Sequence, residues 1–224
     1  MFLLQRGCDK LYSAYLFDFD YTLVDSSKAV EECINYALSS MGIEKVSSEV
    51  ACKTIGLALS IVYKDLTGDD DIDKSNEFVR LFAKKADEVM VSLTCAYDSV
   101  LSTMKYLKEK GLKLGIVSNK HRHRIEAILE KEGLANIFDI VIGSEDMTKH
   151  KPDPEGVIKA ADSLGIPQED IIYVGDSLVD AQTVKGLKVS FVATLTGTTT
   201  KEEFKEYRAL GIIKDISELI DLIK

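Results

Sequence analysis

Two aspartates at the end of the first apolar run have the spacing of a catalytic carboxylate pair. Asp18 and Asp20 lie at the end of the predicted strand Tyr15–Phe19, and residues two apart in an extended chain project from the same side. Two like charges at an apolar strand end are costly unless something compensates them. A divalent cation would do so, and one ionised aspartate could then act as a nucleophile beside a second that acts as acid and base. The alternative for either residue is a turn or a helix cap.

Three further polar segments follow apolar runs later in the chain. Ser118 and Asn119 precede a predicted helix, where a hydroxyl and free backbone N–H groups can hold a phosphate oxygen. Lys151 stands beside two prolines, which stiffen the backbone and direct a single cation. Asp176 and Asp180 share one face if their segment is helical. All-oxygen ligands of this kind suit Mg²⁺ rather than zinc.

The elements that must position these residues alternate along the chain. From Asp98 onward, short apolar runs rich in β-branched residues alternate with helical periodicity. This alternation predicts a doubly wound α/β fold, a Rossmann-like parallel sheet covered by helices on both faces. The carboxyl ends of its strands form one edge, so the four polar segments should converge there as a phosphoryl-transfer site. The predicted strands are Tyr15–Phe19, Lys113–Val117, Asp139–Ile142, Ile171–Val174 and Val189–Ala193.

The connection after the first predicted strand is too long for this alternation of strands and helices. Between the first strand and the helix near Asp98, residues 26–95 carry helical periodicity of their own. We therefore expect a small all-helical cap, inserted after the first strand, beside an α/β core of residues 1–25 and 96–224. Its apolar stripes are Val30, Ile34, Ala37 and Met41; Val50, Thr54, Leu57 and Ile61; and Phe78, Leu81, Phe82 and Val89.

Composition and charge narrow the class of protein. The formal net charge of −9 argues against a nucleic-acid binder, because an acidic chain repels phosphate backbones. It leaves room for a small phosphorylated metabolite, since a metal and one local cation can override the average field. Cys8, Cys33, Cys52 and Cys95 show no CxxC spacing, and Met1–Leu4 is too short for a signal peptide. No apolar run is long enough for a membrane span, so we expect a soluble, cytoplasmic protein.

In the four polar segments the chain resembles the haloacid dehalogenase superfamily of phosphohydrolases. Its motifs are a DxDxT strand end, a Ser or Thr after the second strand, a Lys often followed by Pro, and a GDxxxD segment. The matching residues are Asp18-Phe19-Asp20-Tyr21-Thr22, Ser118, Lys151-Pro152 and Gly175-Asp176 with Asp180. The resemblance runs almost end to end. The position of the cap is shared by the phosphoglycolate phosphatase and β-phosphoglucomutase branches, and Thr54–Leu59 looks like their cap segment that faces the active site.

The resemblance implies a role for each residue. Asp18 would attack phosphorus, and Asp20 would protonate the leaving oxygen and then take a proton from water. Ser118, the Asn119 backbone and Lys151 would hold the phosphoryl group. Mg²⁺ would be held by Asp18, the Asp20 carbonyl and Asp176, with Asp180 close by. The presence of Asp20 makes a C–halogen substrate unexpected, because dehalogenating members lack that second aspartate.

Substrate identity stays open, with phosphoglycolate as the best single expectation. Tyr21 occupies a position where the family usually has Gly, which affects the cap hinge or the substrate space. Tyr21, Lys53 and Thr54 are the candidate specificity residues. A sugar phosphomutase, a pyrophosphatase or nucleotidase, and a phosphonatase that uses Lys53 as a Schiff base remain alternatives, and a non-catalytic phosphate-binding module is disfavoured. The oligomeric state is equally open.

The histidines are not expected to bind metal. His121 and His123 are two positions apart, and such residues do not share a face of a helix. We interpret them as part of a solvated basic first turn, with Lys120 or His121 bordering the substrate. His150 has no partner at ligand spacing and is left unassigned.

Overall fold

The computed structural model describes residues 12–222, so Cys8 and the Met1–Leu4 segment lie outside the described residues. The five predicted strands are all present, each within one or two residues of its expected bounds. Three further short strands, Val24–Asp25, Cys95–Ala96 and Gly211–Ile213, were not predicted. The strands are β1 (Ala14–Phe17), β2 (Val24–Asp25), β3 (Cys95–Ala96), β4 (Lys113–Val117), β5 (Ile140–Ile142), β6 (Ile171–Gly175), β7 (Ser190–Thr194) and β8 (Gly211–Ile213).

Helices separate these strands and fill the segment between β2 and β3. The α-helices are α1 (Ser27–Ser40), α2 (Ser48–Cys52), α3 (Leu59–Thr67), α4 (Ile72–Leu93), α5 (Val100–Glu109), α6 (Arg122–Lys131), α7 (Glu155–Leu164), α8 (Leu178–Thr183), α9 (Lys201–Phe204) and α10 (Leu219–Leu222). Single 3-10 turns cover Ser144–Asp146, Gln168–Asp170 and Ile216–Glu218. No helix among the described residues combines the length and apolar character needed to cross a membrane.

Six strands form one parallel sheet in the order β5-β4-β1-β6-β7-β8. Successive side chains of β1 alternate between two apolar clusters, because residues along a strand face opposite sides of the sheet. Tyr15 and Phe17 belong to the cluster on one face, and Ala14 and Leu16 to the cluster on the other. Both faces are therefore buried, as expected for a doubly wound α/β fold.

The strand order explains why the polar segments meet. β1 lies between β4 and β6, and all three strands run parallel. Asp18 directly follows β1, Ser118 follows β4 and Asp176 follows β6. Later strands are added on both sides of β1, and such a switch point is where open α/β sheets bind ligands.

The helical insert leaves and rejoins the sheet domain through a two-stranded ribbon. β2 and β3 pair antiparallel, with Val24 opposite Ala96 and Asp25 opposite Cys95. Between them, α1 packs against α4, and their buried faces include Ile34 and Phe82. We propose that this ribbon is the boundary between a core of residues 1–25 and 96–224 and a cap of residues 26–95.

One predicted stripe in the insert is wrong. Val50, Thr54, Leu57 and Ile61 do not lie on a single helix, because α2 ends at Cys52 and α3 begins at Leu59. Gly56 has a φ of 90° in the intervening loop, a left-handed conformation that interrupts the helix. Val50 and Ile61 are consequently exposed.

Candidate active site

A buried ion-pair cluster lies at the carboxyl end of β1. Lys151 Nζ is 2.7 Å from Asp18 Oδ1 and 2.8 Å from Asp180 Oδ1. Burial alone would lower the pKa of Lys151, but the two carboxylates raise it well above its usual value. Lys151 is therefore a fixed positive charge beside Asp18.

Asp180 positions this lysine instead of offering free oxygens. Its Oδ1 accepts hydrogen bonds from Lys151 Nζ and from the Tyr173 hydroxyl at 3.2 Å. Its Oδ2 accepts the backbone N–H of Ser177 at 3.0 Å and the Ser177 hydroxyl. The bond from the Ser177 N–H, together with the bond from the Asp180 N–H to the Ser177 hydroxyl oxygen at 3.2 Å, forms the capping box at the start of α8, which fixes the carboxylate. Asp180 was predicted next to the metal, and in the structure its oxygens are already bonded.

Asp176 completes a group of three carboxylates. Asp18, Asp176 and Asp180 each contribute one carboxylate oxygen to a set of three oxygens that lie within 4.8 Å of one another. The three residues are 2%, 4% and 0% exposed. Thr22 donates a hydrogen bond of 2.9 Å to Asp176 Oδ1. A Cβ atom on Gly197 would lie 2.0 Å from Asp176 Oδ2, so the loop after β7 can approach this carboxylate only with glycine there.

The electrostatics of this group favour a bound cation. Burial raises the pKa of Asp18 to about 7, with Asp180 and Asp20 acting in the same direction against Lys151. Burial, together with Asp180 and Asp18, also raises the pKa of Asp176 well above its ordinary value. Three buried carboxylates face one ammonium group, and Asp18 Oδ1 accepts no well-aligned hydrogen bond from the described residues. The donor set is all oxygen, so it fits a hard divalent cation.

Asp20 has a different environment from Asp18. Both of its carboxylate oxygens bond to Lys120 Nζ, at 2.8 and 3.0 Å. The side chains of this pair are 10% and 7% exposed, so the pair is largely shielded from solvent. Lys120 was predicted only to border the substrate, and its contact with Asp20 depends on the fold bringing β1 and β4 side by side.

Ser118 and Asn119 lie at the end of β4, as their sequence position predicts. Ser118 is buried, and its hydroxyl oxygen accepts the backbone N–H of Lys120 at 3.3 Å. The Asn119 side chain ties three segments together: Nδ2 donates to the carbonyls of Gly56 at 3.0 Å and Lys151 at 3.2 Å, and Oδ1 accepts the Lys151 N–H at 2.9 Å. Asn119 therefore links the core to the loop between α2 and α3.

A cavity of about 460 Å³ opens between these strand ends and the helical insert. Asp20, Ser118 and Asn119 form part of its wall, whereas Asp18, Lys151 and Asp176 are not among its lining residues. The wall is mostly apolar on the side of the insert, and Lys120, His121 and Arg124 line it on the core side. The apolar residues of the wall are Val30, Ile34, Ile55, Leu57, Ala58, Leu59, Val62, Val79, Phe82 and Met90.

The three candidate specificity residues fall in different places. Thr54 lines the cavity, and its hydroxyl donates to the Ala51 carbonyl at 2.7 Å. Lys53 is not a lining residue; it is exposed and pairs with Glu49 at 2.8 Å. Tyr21 is buried but does not line the cavity either. It has a φ of 62°, which explains why glycine is usual at this position.

The expectation that His121 and His123 point apart is wrong. His121 is the N-cap of α6 and has an extended backbone, with φ −61° and ψ 132°, so helical spacing does not apply to it. The two rings have centroids 5.6 Å apart. Glu145 lies beside both, and ligand atoms of the three side chains lie within 4.8 Å of one another. His150 lies elsewhere on the cavity wall, with Nε2 3.2 Å from the Ser144 carbonyl oxygen.

Comparisons with known proteins agree with this geometry. A family model described as haloacid dehalogenase-like hydrolase matches residues 15–194. The chain is 32% identical over 170 residues to a phosphoglycolate phosphatase of Aquifex aeolicus, covering 76% of this chain and 78% of that protein. It is 27% identical to a candidate pyrophosphatase of Caldanaerobacter subterraneus, covering 95% and 94%. The solved structure of a candidate haloacid dehalogenase-like hydrolase of Bacteroides fragilis superposes with a TM-score of 0.90 at 40% identity, covering 93% of this chain and 99% of that one.

Proposed function

The chain belongs to the haloacid dehalogenase-like hydrolases, in the branch that resembles phosphoglycolate phosphatases, and from that membership we propose how its phosphatase activity works. The enzyme hydrolyses a small phosphate monoester with Mg²⁺, through an aspartyl phosphate on Asp18. The observation that carries this proposal is the contact of Lys151 with Asp18 inside a buried group of three carboxylates.

Asp18 acts as the nucleophile in the first step. A carboxylate oxygen of Asp18 forms a bond to phosphorus while the bond from phosphorus to the ester oxygen breaks. Lys151, 2.7 Å from Asp18, offsets negative charge on the carboxylate and on the transferring phosphoryl group. The Ser118 hydroxyl and the Asn119 backbone N–H bind the phosphoryl oxygens at the end of β4.

Asp20 serves both steps as acid and base. In its protonated form it gives a proton to the leaving oxygen, and in the second step it takes a proton from the water that attacks phosphorus. The second step breaks the bond between Asp18 and phosphorus and releases inorganic phosphate. Lys120 holds the Asp20 carboxylate at the cavity wall through both oxygens.

The metal would be held by Asp18, the carbonyl of Asp20 and Asp176, with Asp180 fixed beside them. Bound there, Mg²⁺ supplies positive charge that offsets the carboxylates and the phosphoryl oxygens. Thr22 orients Asp176, and Gly197 leaves room for it. Asp180 keeps Lys151 directed at Asp18.

Phosphoglycolate is the substrate we propose first. A relative named phosphoglycolate phosphatase supports it, and Lys120, His121 and Arg124 place N–H donors on the core side of the cavity, which suit a carboxylate on the leaving group. The same donors would suit a second phosphate. The relative named as a candidate pyrophosphatase therefore makes pyrophosphate the second candidate.

Two other chemistries have less support. A phosphonatase would need a lysine in the cavity that can lose its proton, but Lys53 is exposed and its pKa is raised by Glu49. A sugar phosphomutase would return the phosphoryl group to the substrate instead of to water, so it would release little phosphate. The release of phosphate therefore separates a mutase from a phosphatase.

The experiment is a phosphate-release assay on the purified protein with Mg²⁺. The panel contains phosphoglycolate, pyrophosphate, sugar phosphates and nucleoside monophosphates, and each substrate is also assayed with excess chelator. We expect release from at least one ester, abolished by chelation and restored by added Mg²⁺. Release that persists in chelator would overturn the metal dependence. Accumulation of a sugar bisphosphate without phosphate release would overturn the phosphatase assignment in favour of a mutase.

A further inference from the structure

Three side chains with metal-ligand chemistry meet at the rim of the cavity, away from the aspartate group. His121 Nδ1 lies 3.3 Å from Glu145 Oε2, and His123 Nδ1 lies 4.0 Å from Glu145 Oε1. In a tetrahedral zinc site, ligand atoms at about 2.0–2.2 Å from the ion are about 3.4 Å from one another. The three side chains need only small rotations to reach that spacing.

The backbone brings these residues together. His121 precedes α6 in an extended conformation, His123 lies in the first turn of α6, and Glu145 lies on the 3-10 turn Ser144–Asp146 that follows β5. The backbone N–H of Arg122 donates to both oxygens of Glu145, at 3.0 and 2.9 Å. The Ser144 hydroxyl also donates to Oε2, at 3.4 Å. These contacts hold the carboxylate at the start of the helix and leave a lone pair on Oε1.

A second carboxylate lies behind His123. Nε2 of this ring is 3.8 Å from Asp87 Oδ1, on the opposite side of the ring from the nitrogen that faces Glu145. A carboxylate that accepts a hydrogen bond from the far nitrogen fixes the tautomer and orientation of a metal-bound histidine, and at 3.8 Å Asp87 lies just beyond that distance. Asp87 belongs to α4, so this arrangement joins the helical insert to the core.

The surrounding cations have carboxylate partners of their own. Arg124 pairs with Asp87 at 2.6 Å, and Arg122 pairs with Asp146 at 2.8 Å. These pairings leave the Glu145 carboxylate facing the two imidazole rings.

We propose that His121, His123 and Glu145 form a second metal site, for a borderline divalent cation such as Zn²⁺. Imidazole nitrogens select such ions, whereas the all-oxygen group at Asp18 and Asp176 selects Mg²⁺. Three protein ligands leave one position for water or for a substrate oxygen. Because His121 and Glu145 line the cavity, an ion at this site would face the interior of the cavity.

Zinc binding is measured directly by titration calorimetry, with Mg²⁺ in large excess to occupy the aspartate site. We expect the wild-type protein to bind Zn²⁺ at micromolar or lower concentration. His123→Gln should bind at least about tenfold more weakly, because the loss of an outer-shell partner alone costs about 10–100-fold in metal affinity. His150→Gln is the matched control, because His150 lies outside the group, and it should bind like the wild type. Equal binding by wild type and His123→Gln, or no binding by wild type, would overturn the proposal.

A second measurement needs no variant. The chain has three histidines, so long-range ¹H–¹⁵N spectra of the imidazole nitrogens give one signal set for each. On addition of Zn²⁺ in excess Mg²⁺, the signals of His121 and His123 should shift while those of His150 stay in place. A shift confined to His150, or no shift at all, would contradict the site. Zinc that binds only at cysteines would leave all three sets unchanged and would equally contradict it.

Discussion

Lys120 Nζ lies within hydrogen-bond distance of both carboxylate oxygens of Asp20, although the two residues are 100 positions apart in the chain. The contact joins the end of β1 to the start of the connection after β4. The two motif aspartates therefore have different partners: Asp18 is paired with the buried Lys151, and Asp20 is paired with Lys120 at the cavity wall. The roles that we propose for them, nucleophile for Asp18 and acid/base for Asp20, rest on the family motif and not on this difference in partners.

Lys120→Met should lower kcat by about tenfold to hundredfold, because an acid/base group contributes about 10²–10⁴-fold and Asp20 would lose the contact that holds it. KM should change less, since the lysine acts through Asp20. Steady-state kinetics on the best ester of the panel measures both constants. Lys188→Met is the control, because Lys188 is exposed and lies just before β7. A Lys120→Met enzyme with wild-type kcat would show that the contact does not position Asp20.

Gly197→Ala should weaken Mg²⁺ binding. The added Cβ would lie 2.0 Å from Asp176 Oδ2, so either the loop or the carboxylate must move. Mg²⁺ raises the melting temperature of the wild type if it binds the folded state, and this rise should be clearly smaller in the variant. Thr198→Ala, at an exposed neighbouring position, should keep the full rise. An unchanged response of Gly197→Ala to Mg²⁺ would place the ion away from Asp176.

Tyr21→Gly should destabilise the protein although it relieves backbone strain at this position. The left-handed φ of 62° costs roughly 1–2 kcal/mol for a residue with a side chain. Removing a buried aromatic side chain costs about 3–5 kcal/mol, so we expect a net loss of about 2 kcal/mol. Urea denaturation measures this difference. A more stable Tyr21→Gly protein would mean that strain outweighs packing at this position.

Asp139→Asn tests the core at the opposite end of β4. Burial of Asp139 alone would raise its pKa, but hydrogen bonds from Lys108, the Leu114 N–H and Lys113 lower it from 3.8 to about 2. A carboxyl group whose pKa is lower in the folded state stabilises the fold at pH values above its unfolded-state pKa. That contribution is lost as the pH falls through the folded-state pKa. The free energy of unfolding of the wild type should therefore exceed that of the variant by about 1 kcal/mol near neutral pH, since solvent screens these largely exposed ion pairs.

Urea denaturation of both proteins at several pH values checks this sign. The difference between them should be constant above about pH 5 and shrink toward pH 2, because the folded and unfolded values bracket that window. Asp65→Asn, at an exposed position in α3, is the control. A difference that grows as the pH falls would contradict the role given to these ion pairs.

Much of the fold was predictable because short apolar runs end at polar residues. β4 has the predicted bounds, and the sequence places Asp18, Ser118 and Asp176 at strand ends without any knowledge of the strand order. β8 was missed because a three-residue edge strand carries too little periodicity to recognise. The second stripe of the insert was misjudged because Gly56 interrupts the helix with a left-handed conformation.

The residues that support the site were harder to predict. Tyr173, Lys120 and Gly197 act on groups that are distant in sequence, and only the sheet order brings them together. Gly197 sits among threonines and carries no local signal except that it is glycine. The proximity of His121 to His123 depends on where α6 begins, and helix boundaries are poorly determined by periodicity.

The most direct test of the proposed mechanism is to trap the phosphoryl group on the enzyme. The protein is mixed with an excess of its best substrate and Mg²⁺, quenched in acid within the first turnovers, digested and analysed by mass spectrometry. We expect one added phosphoryl group on the peptide that contains Asp18 in the wild type, and neither this label nor phosphate release in a folded Asp18→Asn protein. Full phosphate release by Asp18→Asn, or a phosphoryl group trapped on another residue, would contradict the assignment of Asp18 as the nucleophile.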